Sequence, residues 1–312
     1  MPGSRVLSAG YYQPEKVLTN NDIAQMMDTS DEWIRTRVGI RTRHIADPTE
    51  TVDEMAAHAA RSALERVALP AAEIDAVIVA TTTALDRSPN VSARVAAKLG
   101  IPCPATLDVN VACAGFSHAL AVADQAIRAG SATKALVIGV ERLTDFVDWK
   151  DRSVSVLVGD GAGAVVVEAT DEPSISPVVW GSVPELGSAV RIEGVPGKFE
   201  QEGQTVFRWT TTELPGIARK VCDRAGVAPE DLDAVVLHQA NLRIVEPVVR
   251  KLGAVNAVIA RDVVDSGNTS AASIPLALAK LVERREVKPG ALTLLLGFGG
   301  GLAYAGQVIR CP

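Results

Sequence analysis

The chain contains the stretch Glu73-Ile-Asp-Ala-Val-Ile-Val79 and repeats its pattern at Asp231-Leu-Asp-Ala-Val-Val-Leu237. In each copy an acidic turn leads into a continuous apolar run, and equivalent residues lie 158 positions apart, from 75 to 233. A second pair, Leu136-Val-Ile-Gly139 and Leu294-Leu-Leu-Gly297, has the same spacing, from 139 to 297. Because one spacing recurs at two separate places and is close to half of the 312 residues, it predicts a duplicated unit.

The elements around these runs follow one order in both units. A helix with apolar residues at three- to four-residue spacing precedes the run, a nearly wholly apolar helix follows it, and a second apolar strand comes next. The helices are expected at 55–67, 115–129, 217–225 and 273–282. Apolar strands without polar alternation are typical of sheets covered by helices on both faces. We therefore predict an α/β fold, a five-layer α/β/α/β/α sandwich of two duplicated halves at 1–170 and 171–312.

Composition excludes several classes of function. Hydrophobic residues make up 47% and charged residues 22%, as in an average globular protein, and the net charge of −6 argues against nucleic-acid binding. There is no apolar run long enough to cross a membrane and no signal-peptide core, so we expect a cytoplasmic protein without a membrane partner. The four cysteines and four histidines are scattered, which predicts neither a disulfide framework nor a zinc site.

One cysteine lies where a strand is expected to turn into the central apolar helix of the first half. It is Cys113, in the stretch Asn110-Val-Ala-Cys-Ala-Gly-Phe116. A thiol at a helix N-terminus meets partial positive charge and unpaired backbone N–H groups, which favour the thiolate form. This position predicts a nucleophile. The alternative is a small buried hydrophobic residue, which most free cysteines are.

Two polar side chains stand at comparable turns of the second half. His238 ends the apolar strand 234–237, where α/β sheets place groups that face ligands. Asn268 lies in the stretch Asp265-Ser-Gly-Asn-Thr-Ser-Ala-Ala-Ser273, directly before the apolar helix. The alternatives are a hydrogen-bonded loop histidine and a helix N-cap, a position that asparagine commonly takes.

Two glycine-rich stretches have different interpretations. Gly297-Phe-Gly-Gly-Gly-Leu302 can present backbone N–H groups to a developing negative charge, although such stretches are often only turns. Gly159-Asp-Gly-Ala-Gly-Ala164 resembles a phosphate loop, but no Lys-Ser/Thr follows it and the next residues, 165–167, form an apolar strand rather than a helix. The second stretch therefore argues against nucleotide binding.

Together these stretches resemble the β-ketoacyl-acyl carrier protein synthase III family of condensing enzymes, which has the thiolase fold. The resemblance runs along nearly the whole chain. The stretches that carry it are Asp31-Glu-Trp-Ile34, Thr36-Arg-Val-Gly-Ile-Arg41, Ala112-Cys-Ala-Gly-Phe116, Gly159-Asp-Gly-Ala-Gly163, His238-Gln-Ala-Asn-Leu-Arg-Ile244, Gly267-Asn-Thr-Ser-Ala-Ala272 and Phe298-Gly-Gly-Gly301.

The resemblance implies a decarboxylative condensation of an acyl-CoA primer with malonyl-acyl carrier protein, which starts fatty acid or related acyl chains. Cys113 would be the acylated nucleophile, because a thioester exchanges readily with a thiol group. His238 and Asn268 would stabilise the enolate that remains after loss of CO₂, since decarboxylation needs neutral donors rather than a strong base. The N–H groups of Cys113 and Gly300 would form the oxyanion hole. Neither a cofactor nor a metal ion is implied.

The resemblance also assigns binding residues. Those expected to hold coenzyme A are Trp33, Arg37 and Arg152 at the adenine and phosphate end, and Asn241 near the pantetheine arm. A basic surface, here called the carrier patch, would bind the acidic acyl carrier protein and consists of Arg208, Arg243, Arg250 and Lys251. Enzymes of this fold bury broad sheet edges against a second copy, so a homodimer is expected.

The acyl pocket is expected at Thr82, Ser88, Leu143, Val158 and Phe298, with Phe298 bordering the carboxylate that is lost. Ser88 and Val158 stand where the family often has phenylalanine, and loss of two aromatic rings enlarges a pocket. We therefore predict a primer larger than acetyl, unless neighbours such as Leu143 and Trp149 refill the space. The stretch 181–203, near the mouth of the pocket, is shorter than is usual in the family.

Two other functions remain open on the sequence. One is a related enzyme of specialised metabolism that primes a polyketide or transfers its acyl group to an alcohol or amine. The other is a non-catalytic partner subunit that only shapes a pocket. Retention of Cys113, His238 and Asn268 together favours condensation, because simple acyl transfer has no need of an enolate-stabilising asparagine.

Overall fold

The computed structural model describes residues 3–194 and 197–312. Within them the first half contributes the strands β1 (Gly3–Tyr12), β2 (Val17–Thr19), β3 (Thr42–His44), β4 (Ala76–Ala80), β5 (Ala105–Val109), β6 (Lys134–Arg142) and β7 (Asp160–Thr170). The second half contributes β8 (Val179–Gly181), β9 (Val190–Gly194), β10 (Gly197–Gln201), β11 (Ala234–Leu237), β12 (Val258–Ile259), β13 (Leu292–Phe298) and β14 (Tyr304–Arg310).

The α-helices of the described residues are α1 (Asn20–Ala24), α2 (Asp31–Val38), α3 (Val52–Glu65), α4 (Val91–Leu99), α5 (Gly115–Arg128), α6 (Arg152–Ser155), α7 (Gly203–Ala225), α8 (Leu242–Leu252), α9 (Val263–Ser266) and α10 (Ser273–Glu283). None of them is both long and apolar enough to cross a membrane.

Two five-stranded sheets have the same strand order. The first reads β1-β7-β6-β4-β5 and the second β8-β14-β13-β11-β12. In each, three neighbouring strands (β6, β4 and β5; β13, β11 and β12) run parallel, and the next strand (β7; β14) is antiparallel. Strand β11 begins 158 residues after β4, at 234 and 76, and α10 begins 158 residues after α5, at 273 and 115. This repetition is the duplicated fold that the sequence predicts.

Alternate residues on each strand pack against different helices, and these contacts define five layers. On β4, Ala76 and Ile78 pack in the same cluster as α5 and α10, whereas Val77 and Val79 pack with α3 and α4. On β11, Val236 joins the cluster of α5 and α10, whereas Val235 and Leu237 pack with α7 and α8. The order is therefore α3/α4, first sheet, α5/α10, second sheet, α7/α8, as predicted.

Two glycines of the first sheet let α10 and the 3₁₀ turn before it lie close to the sheet backbone. A Cβ atom on Gly163 would lie 2.3 Å from the backbone nitrogen of Leu276, and one on Gly139 would lie 2.3 Å from the carbonyl oxygen of Ala271. Gly163 belongs to β7 rather than to a loop. The glycine-rich stretch at 159–164 therefore serves close packing, in agreement with the sequence argument against a phosphate loop.

The helix expected at 217–225 is much longer than predicted. It is α7, which begins at Gly203 and includes Pro215. Trp209 and Leu214 of its first half are buried, but exposed polar residues such as Thr212 and the pair Pro215-Gly216 break the apolar spacing before residue 217.

Candidate active site

Loops at the ends of the central strands hold the predicted catalytic residues. Cys113 lies in a single 3₁₀ turn, Ala112–Ala114, directly before α5. His238 directly follows β11, and Asn268 lies between α9 and the 3₁₀ turn Ser270–Ala272. Gly299 and Phe298 connect these loops. A Cβ on Gly299 would lie 2.6 Å from the Cβ of Cys113, and the Phe298 ring stands edge-on to the His238 ring with 5.1 Å between centroids.

The turn before Cys113 is strained. Ala112 has a φ of +45°, in the left-handed region, which costs a residue other than glycine about 1–2 kcal/mol. Ser270, the equivalent residue of the second half, has a φ of +46°. Both duplicated loops therefore use the same strained turn, and in the first it presents the Cys113 side chain to a cavity.

The environment of Cys113 differs from the expected one. Burial raises the pKa of this thiol to about 11, and the charge of Glu141 raises it further. Hydrogen bonds from Ser270 and from the backbone N–H groups of Cys113 and Gly300 oppose the rise. The prediction that the helix N-terminus favours the thiolate is wrong, because the loss of water around the buried thiol outweighs the helix dipole.

The two residues predicted to form the oxyanion hole lie beside the nucleophile. Hydrogen bonding by the backbone N–H groups of Cys113 and Gly300 lowers the pKa of the Cys113 thiol. Gly300 also lies close to the nucleophile loop, since a Cβ there would be 2.9 Å from the Cβ of Ala112. Two backbone donors that converge beside a nucleophile can stabilise the oxyanion formed when its thioester is attacked.

Substitution of Gly299 by Ala is expected to slow acylation of Cys113. The φ of Gly299 is 171°, which any residue adopts, so the effect is steric: the new methyl group would lie 2.6 Å from the Cβ and 3.0 Å from the Sγ of Cys113. Intact-protein mass after mixing with acyl-CoA measures the rate. Gly216→Ala is the matched control, because no atom lies within 4 Å of its added Cβ. Unchanged acylation of Gly299→Ala would contradict the position assigned to the sulfur.

The hydrogen bonds of His238 favour one tautomer. Its Nδ1 lies 2.7 Å from the Oγ of Ser273, and this hydroxyl also accepts the N–H of Gln239 at 3.3 Å. The Ser273 hydroxyl is thereby placed to donate to Nδ1, and in the tautomer that accepts this bond Nε2 carries the ring proton and is the free donor. Burial lowers the pKa of His238 to about 3, so the ring is neutral at physiological pH.

Asn268 is held in a defined orientation. Its Oδ1 accepts the N–H of Ser270 at 2.9 Å, while its backbone pairs with Leu157 and Gly159. The side chain therefore stabilises the turn at 270, and not α10, which begins only at Ser273. With Oδ1 engaged, Nδ2 is the remaining donor. His238 and Asn268 thus each offer a neutral N–H, the chemistry that stabilises an enolate.

A cavity of about 480 Å³, here called the acyl cavity, opens beside Cys113. Of the predicted acyl-pocket residues, Thr82 and Leu143 line it. Its other lining residues are Asn110, Val111, Ala112, Cys113, Ser182, Pro184, Gly187, Val190, Arg191, Ile192, Phe199, Ser270, Gly300, Gly301 and Ala303. Much of the wall comes from the stretch 181–203, of which residues 195 and 196 lie outside the described residues.

Three predicted acyl-pocket residues do not line this cavity. Ser88 is exposed, and Val158 is fully buried, where it forms a bridge with Asn268. Phe298 is buried against His238. Within one chain, therefore, neither of the positions where the family often has phenylalanine enlarges the acyl cavity.

The residues predicted to bind coenzyme A lie near one another. The guanidinium of Arg152 is 4.7 Å from the Trp33 ring centroid, and that of Arg37 is 6.0 Å from it. Arg37 and Asn241 also line a groove of about 560 Å³, here called the entrance groove. Two residues of the carrier patch, Arg208 and Arg243, line the same groove. An aromatic face with several guanidinium groups suits an adenine ring and phosphates.

Sequence reasoning missed three residues that hold the site together: Glu141, Ser270 and Ser273. Glu141 is completely buried at the end of β6, and Ser270 and Ser273 orient Asn268 and His238. One signal was available. Glu141 ends the otherwise apolar run 135–140, at the edge of the sheet where ligands bind.

Comparison with known proteins agrees with this geometry. The family models "3-Oxoacyl-[acyl-carrier-protein (ACP)] synthase III" and its C-terminal counterpart match residues 107–184 and 222–311. Beta-ketoacyl-[acyl-carrier-protein] synthase III 4 of Streptomyces coelicolor is 66% identical over 313 residues, which cover 99% of each chain. The chain belongs to the 3-oxoacyl-[acyl-carrier-protein] synthase III family.

Two solved structures of this family extend the comparison. The synthase III of Aquifex aeolicus is 38% identical with a TM-score of 0.94, and the match covers 99% of this chain and 100% of that one. The priming β-ketosynthase of the R1128 polyketide pathway is 41% identical with a TM-score of 0.97, covering 99% and 96%. This chain is thus a condensing acyltransferase of the thiolase fold, and synthase III enzymes act with acyl carrier protein and acyl-CoA.

Proposed function

We propose that Cys113 receives the primer from acyl-CoA and that His238 and Asn268 drive decarboxylation of malonyl-acyl carrier protein. The observation that carries this proposal is the orientation of the two donors. Ser273 engages Nδ1 of His238 and Ser270 engages Oδ1 of Asn268, so Nε2 and Nδ2 remain for the substrate. A buried pair of neutral donors fits a thioester carbonyl on which negative charge develops.

The first half-reaction loads the primer. The Cys113 sulfur attacks the thioester carbonyl of acyl-CoA, and the N–H groups of Cys113 and Gly300 stabilise the tetrahedral oxyanion. The carbon–sulfur bond of the substrate then breaks and coenzyme A leaves. The acyl chain occupies the acyl cavity, which the Cys113 side chain borders.

The second half-reaction forms the carbon–carbon bond. Loss of CO₂ from the malonyl group leaves an enolate whose oxygen accepts hydrogen bonds from His238 Nε2 and Asn268 Nδ2. Its carbon attacks the acyl group on Cys113, and the sulfur leaves as the β-ketoacyl product forms. Because burial lowers the pKa of His238 to about 3, the ring is too weak a base to hold a proton at physiological pH, and it acts as a hydrogen-bond donor. These steps need only the two thioester substrates, and we propose that the enzyme uses no further cofactor.

A primer larger than acetyl stays a prediction, now supported by a different observation. A small group such as one water fills about 30 Å³, so a cavity of about 480 Å³ is several times larger than an acetyl group requires. Acylation rates across acetyl-, branched and medium-chain acyl-CoAs test it. A clear preference for acetyl-CoA would overturn it.

Priming of a polyketide is the second candidate. The priming ketosynthase of the R1128 pathway matches 99% of this chain with a TM-score of 0.97. The two candidates share the reaction and differ in the carrier protein. The test mixes the same acyl-enzyme with malonyl groups on a fatty acid carrier protein or on a polyketide carrier protein. The carrier that discharges the acyl-enzyme faster distinguishes the two candidates.

We place acyl carrier protein on the carrier patch. All four of its residues are exposed, and within 3–194 and 197–312 none of them forms an ion pair with a carboxylate. Arg243 stacks over Phe207, with its guanidinium carbon 5.7 Å from the ring centroid, and Phe207 is itself 39% exposed. Unpaired cations around an exposed aromatic ring at the entrance groove suit an acidic protein that delivers a thioester arm.

Substitution Arg250→Glu is expected to raise the KM for malonyl-acyl carrier protein about tenfold and to leave kcat nearly unchanged. Arg250 is exposed on α8, the helix whose Arg243 lines the entrance groove, so a reversed charge repels the partner without touching the reacting atoms. Steady-state kinetics at low salt measure the effect. Arg284→Glu, an exposed cation on the end of α10, is the control. An equal rise in KM for free malonyl-CoA would contradict the assignment.

We propose a homodimer that joins the first sheets along β5. This strand is the outermost of its sheet, and its first three residues are exposed, including Leu107 at 45%. An exposed strand edge with an apolar side chain is a place where a second chain can pair. Sedimentation of the wild type and of Leu107→Lys tests the proposal, since the charged variant is expected to sediment as a monomer. A cytoplasmic location stays a prediction that cell fractionation tests.

The deciding experiment is intact-protein mass after mixing with a panel of acyl-CoAs, followed by addition of malonyl-acyl carrier protein. An adduct on Cys113 that leaves as a β-ketoacyl product with release of CO₂ supports the proposal. An adduct that stays on the enzyme after malonyl-acyl carrier protein is added would indicate acyl transfer to another acceptor. Absence of any adduct would indicate a non-catalytic partner subunit.

A further inference from the structure

A completely buried carboxylate, unused in the reaction described above, adjoins the nucleophile loop. Glu141, 0% exposed, ends β6. It accepts hydrogen bonds from the hydroxyl groups of Thr81, Thr82 and Thr83, from the N–H of Thr82 and from the hydroxyl of Ser270, at 2.7 to 3.3 Å. Burial of a charged group costs free energy unless hydrogen bonds compensate it, and here several donors surround the carboxylate. The site is therefore constructed to hold Glu141.

The surrounding hydrogen bonds indicate that Glu141 is ionised in the resting enzyme. The hydroxyl of Thr81 accepts the N–H of Thr83, and the hydroxyl of Thr83 accepts the N–H of Arg142. Their own hydrogens are thereby directed to Glu141, which acts only as an acceptor. The neighbouring cation, Arg142, pairs instead with Asp145 at 3.0 Å.

Ser270 connects this carboxylate to the nucleophile. Its Oγ donates to Glu141 at 3.0 Å, and its 3₁₀ turn packs against the turn that holds Cys113. Ser270 and Cys113 both line the acyl cavity, and hydrogen bonding by Ser270 lowers the pKa of the thiol. The Ser270 backbone has a φ of +46°, so the chain holds a strained serine at this point where glycine would be relaxed. A hydroxyl between a thiol and a carboxylate can pass a proton from one to the other.

We propose that Glu141, acting through Ser270, positions the Cys113 thiol and holds its proton while the acyl group is on the enzyme. This inference rests on the proposed function, because it concerns the same nucleophile. During loading, the thiol proton moves to Ser270 Oγ and the Ser270 proton moves to Glu141, as the sulfur bonds the acyl carbon. During condensation the two transfers reverse, and the departing sulfur regains its proton.

The protons balance over the full cycle. Coenzyme A leaves as a thiolate and takes one proton from water, because its thiol has an ordinary pKa near about 8.5 and is protonated at neutral pH. Glu141 returns its proton to Cys113 in the second half, so the cycle consumes one proton overall. His238 cannot be the holder, because its pKa of about 3 keeps the ring neutral. Burial raises the pKa of Glu141, which makes it a better proton acceptor than a surface carboxylate.

The test counts protons in the loading half-reaction alone. Wild-type enzyme is mixed with acyl-CoA in weak buffer with a pH indicator at pH 7.5, and intact-protein mass in the same sample counts the acyl groups. We expect about one proton to be taken up per acyl group. If no group of the enzyme holds the thiol proton, this proton passes to the coenzyme A thiolate, and no proton is taken up from solution. An adduct without proton uptake would overturn this inference and leave the proposed function intact, whereas absence of an adduct would overturn the proposed function itself.

Variants identify the holder. Glu141→Gln is expected to lose the uptake and to load at least tenfold more slowly. Asp160→Asn is the matched control, because Asp160 is also 0% exposed and accepts three hydrogen bonds, from Ala46 and Thr144, so its loss destabilises the fold comparably but leaves the uptake. Ser270→Gly suits the φ of +46° and cuts the connection without backbone strain. Proton uptake that persists in Glu141→Gln or in Ser270→Gly would overturn the assignment.

Discussion

Asn268→Asp is expected to load its primer at nearly the wild-type rate and then to accumulate as an acyl-enzyme. The aspartate keeps an oxygen for the N–H of Ser270, which Oδ1 accepts at 2.9 Å, so the loop retains its hydrogen bond. It replaces the free Nδ2 donor by an oxygen that repels the enolate. Loss of one such donor typically costs a factor of about 10²–10³ in rate, and we expect at least this loss in malonyl-dependent discharge.

The measurement separates the two half-reactions. Intact-protein mass follows loading, and release of labelled CO₂ follows decarboxylation. Thr269→Ser is the control, since it alters the adjacent buried side chain without changing a donor to the substrate. If Asn268→Asp lost loading and decarboxylation in equal measure, Asn268 would be a structural residue of the loop and not a donor to the enolate.

Cys113→Ala is expected to abolish the acyl adduct. Removal of an enzyme's nucleophile has cost a factor of about 10⁶ in rate in a well-studied case, and the small side chain of alanine fits a site where Cys113 is already 94% buried, with a relative exposure of 6%. Binding of acyl-CoA is expected to persist, because the entrance groove is untouched. Mass spectrometry measures the adduct and equilibrium dialysis measures the binding.

The other cysteines provide the control. Cys222 and Cys311 are buried and Cys103 is exposed, and none of them lines the acyl cavity. Cys103→Ser is therefore expected to load normally. An adduct that survives in Cys113→Ala would place the nucleophile at another residue and contradict the assignment.

The fold was predictable wherever the pattern of apolar residues is local and occurs in both halves. The starts of α5 and α10, at 115 and 273, agree with the prediction because both helices are apolar nearly all round. The early start of α7 at 203 was not predictable, because Pro215 and Gly216 indicate a helix end between Leu214 and Ile217. The positions of Cys113 and His238 at turns were predictable for a related reason, because each lies beside an apolar element, β11 before His238 and α5 after the Cys113 turn.

The interior electrostatics of the site were not predictable from sequence. Ser270 and Glu141 are 129 residues apart, and their hydrogen bond depends on how the two halves pack. The thiol pKa shows the same limit. Position at a helix N-terminus suggested a lowered value, whereas burial raises it to about 11. Burial is a property of the assembled layers and has no signature in the seven residues around Cys113.

The strained turns at Ala112 and Ser270 have a consequence for altering the enzyme. They are equivalent residues of the two halves, and their 3₁₀ turns pack against each other. The first copy carries the covalent step and the second orients the donor for CO₂ loss. A substitution that moves either turn displaces its counterpart, so specificity for the primer and turnover of the extender cannot be tuned independently there. Ile192 and Phe199 line the acyl cavity and belong to neither turn, so substitutions there can change the fit of the primer and leave both turns in place.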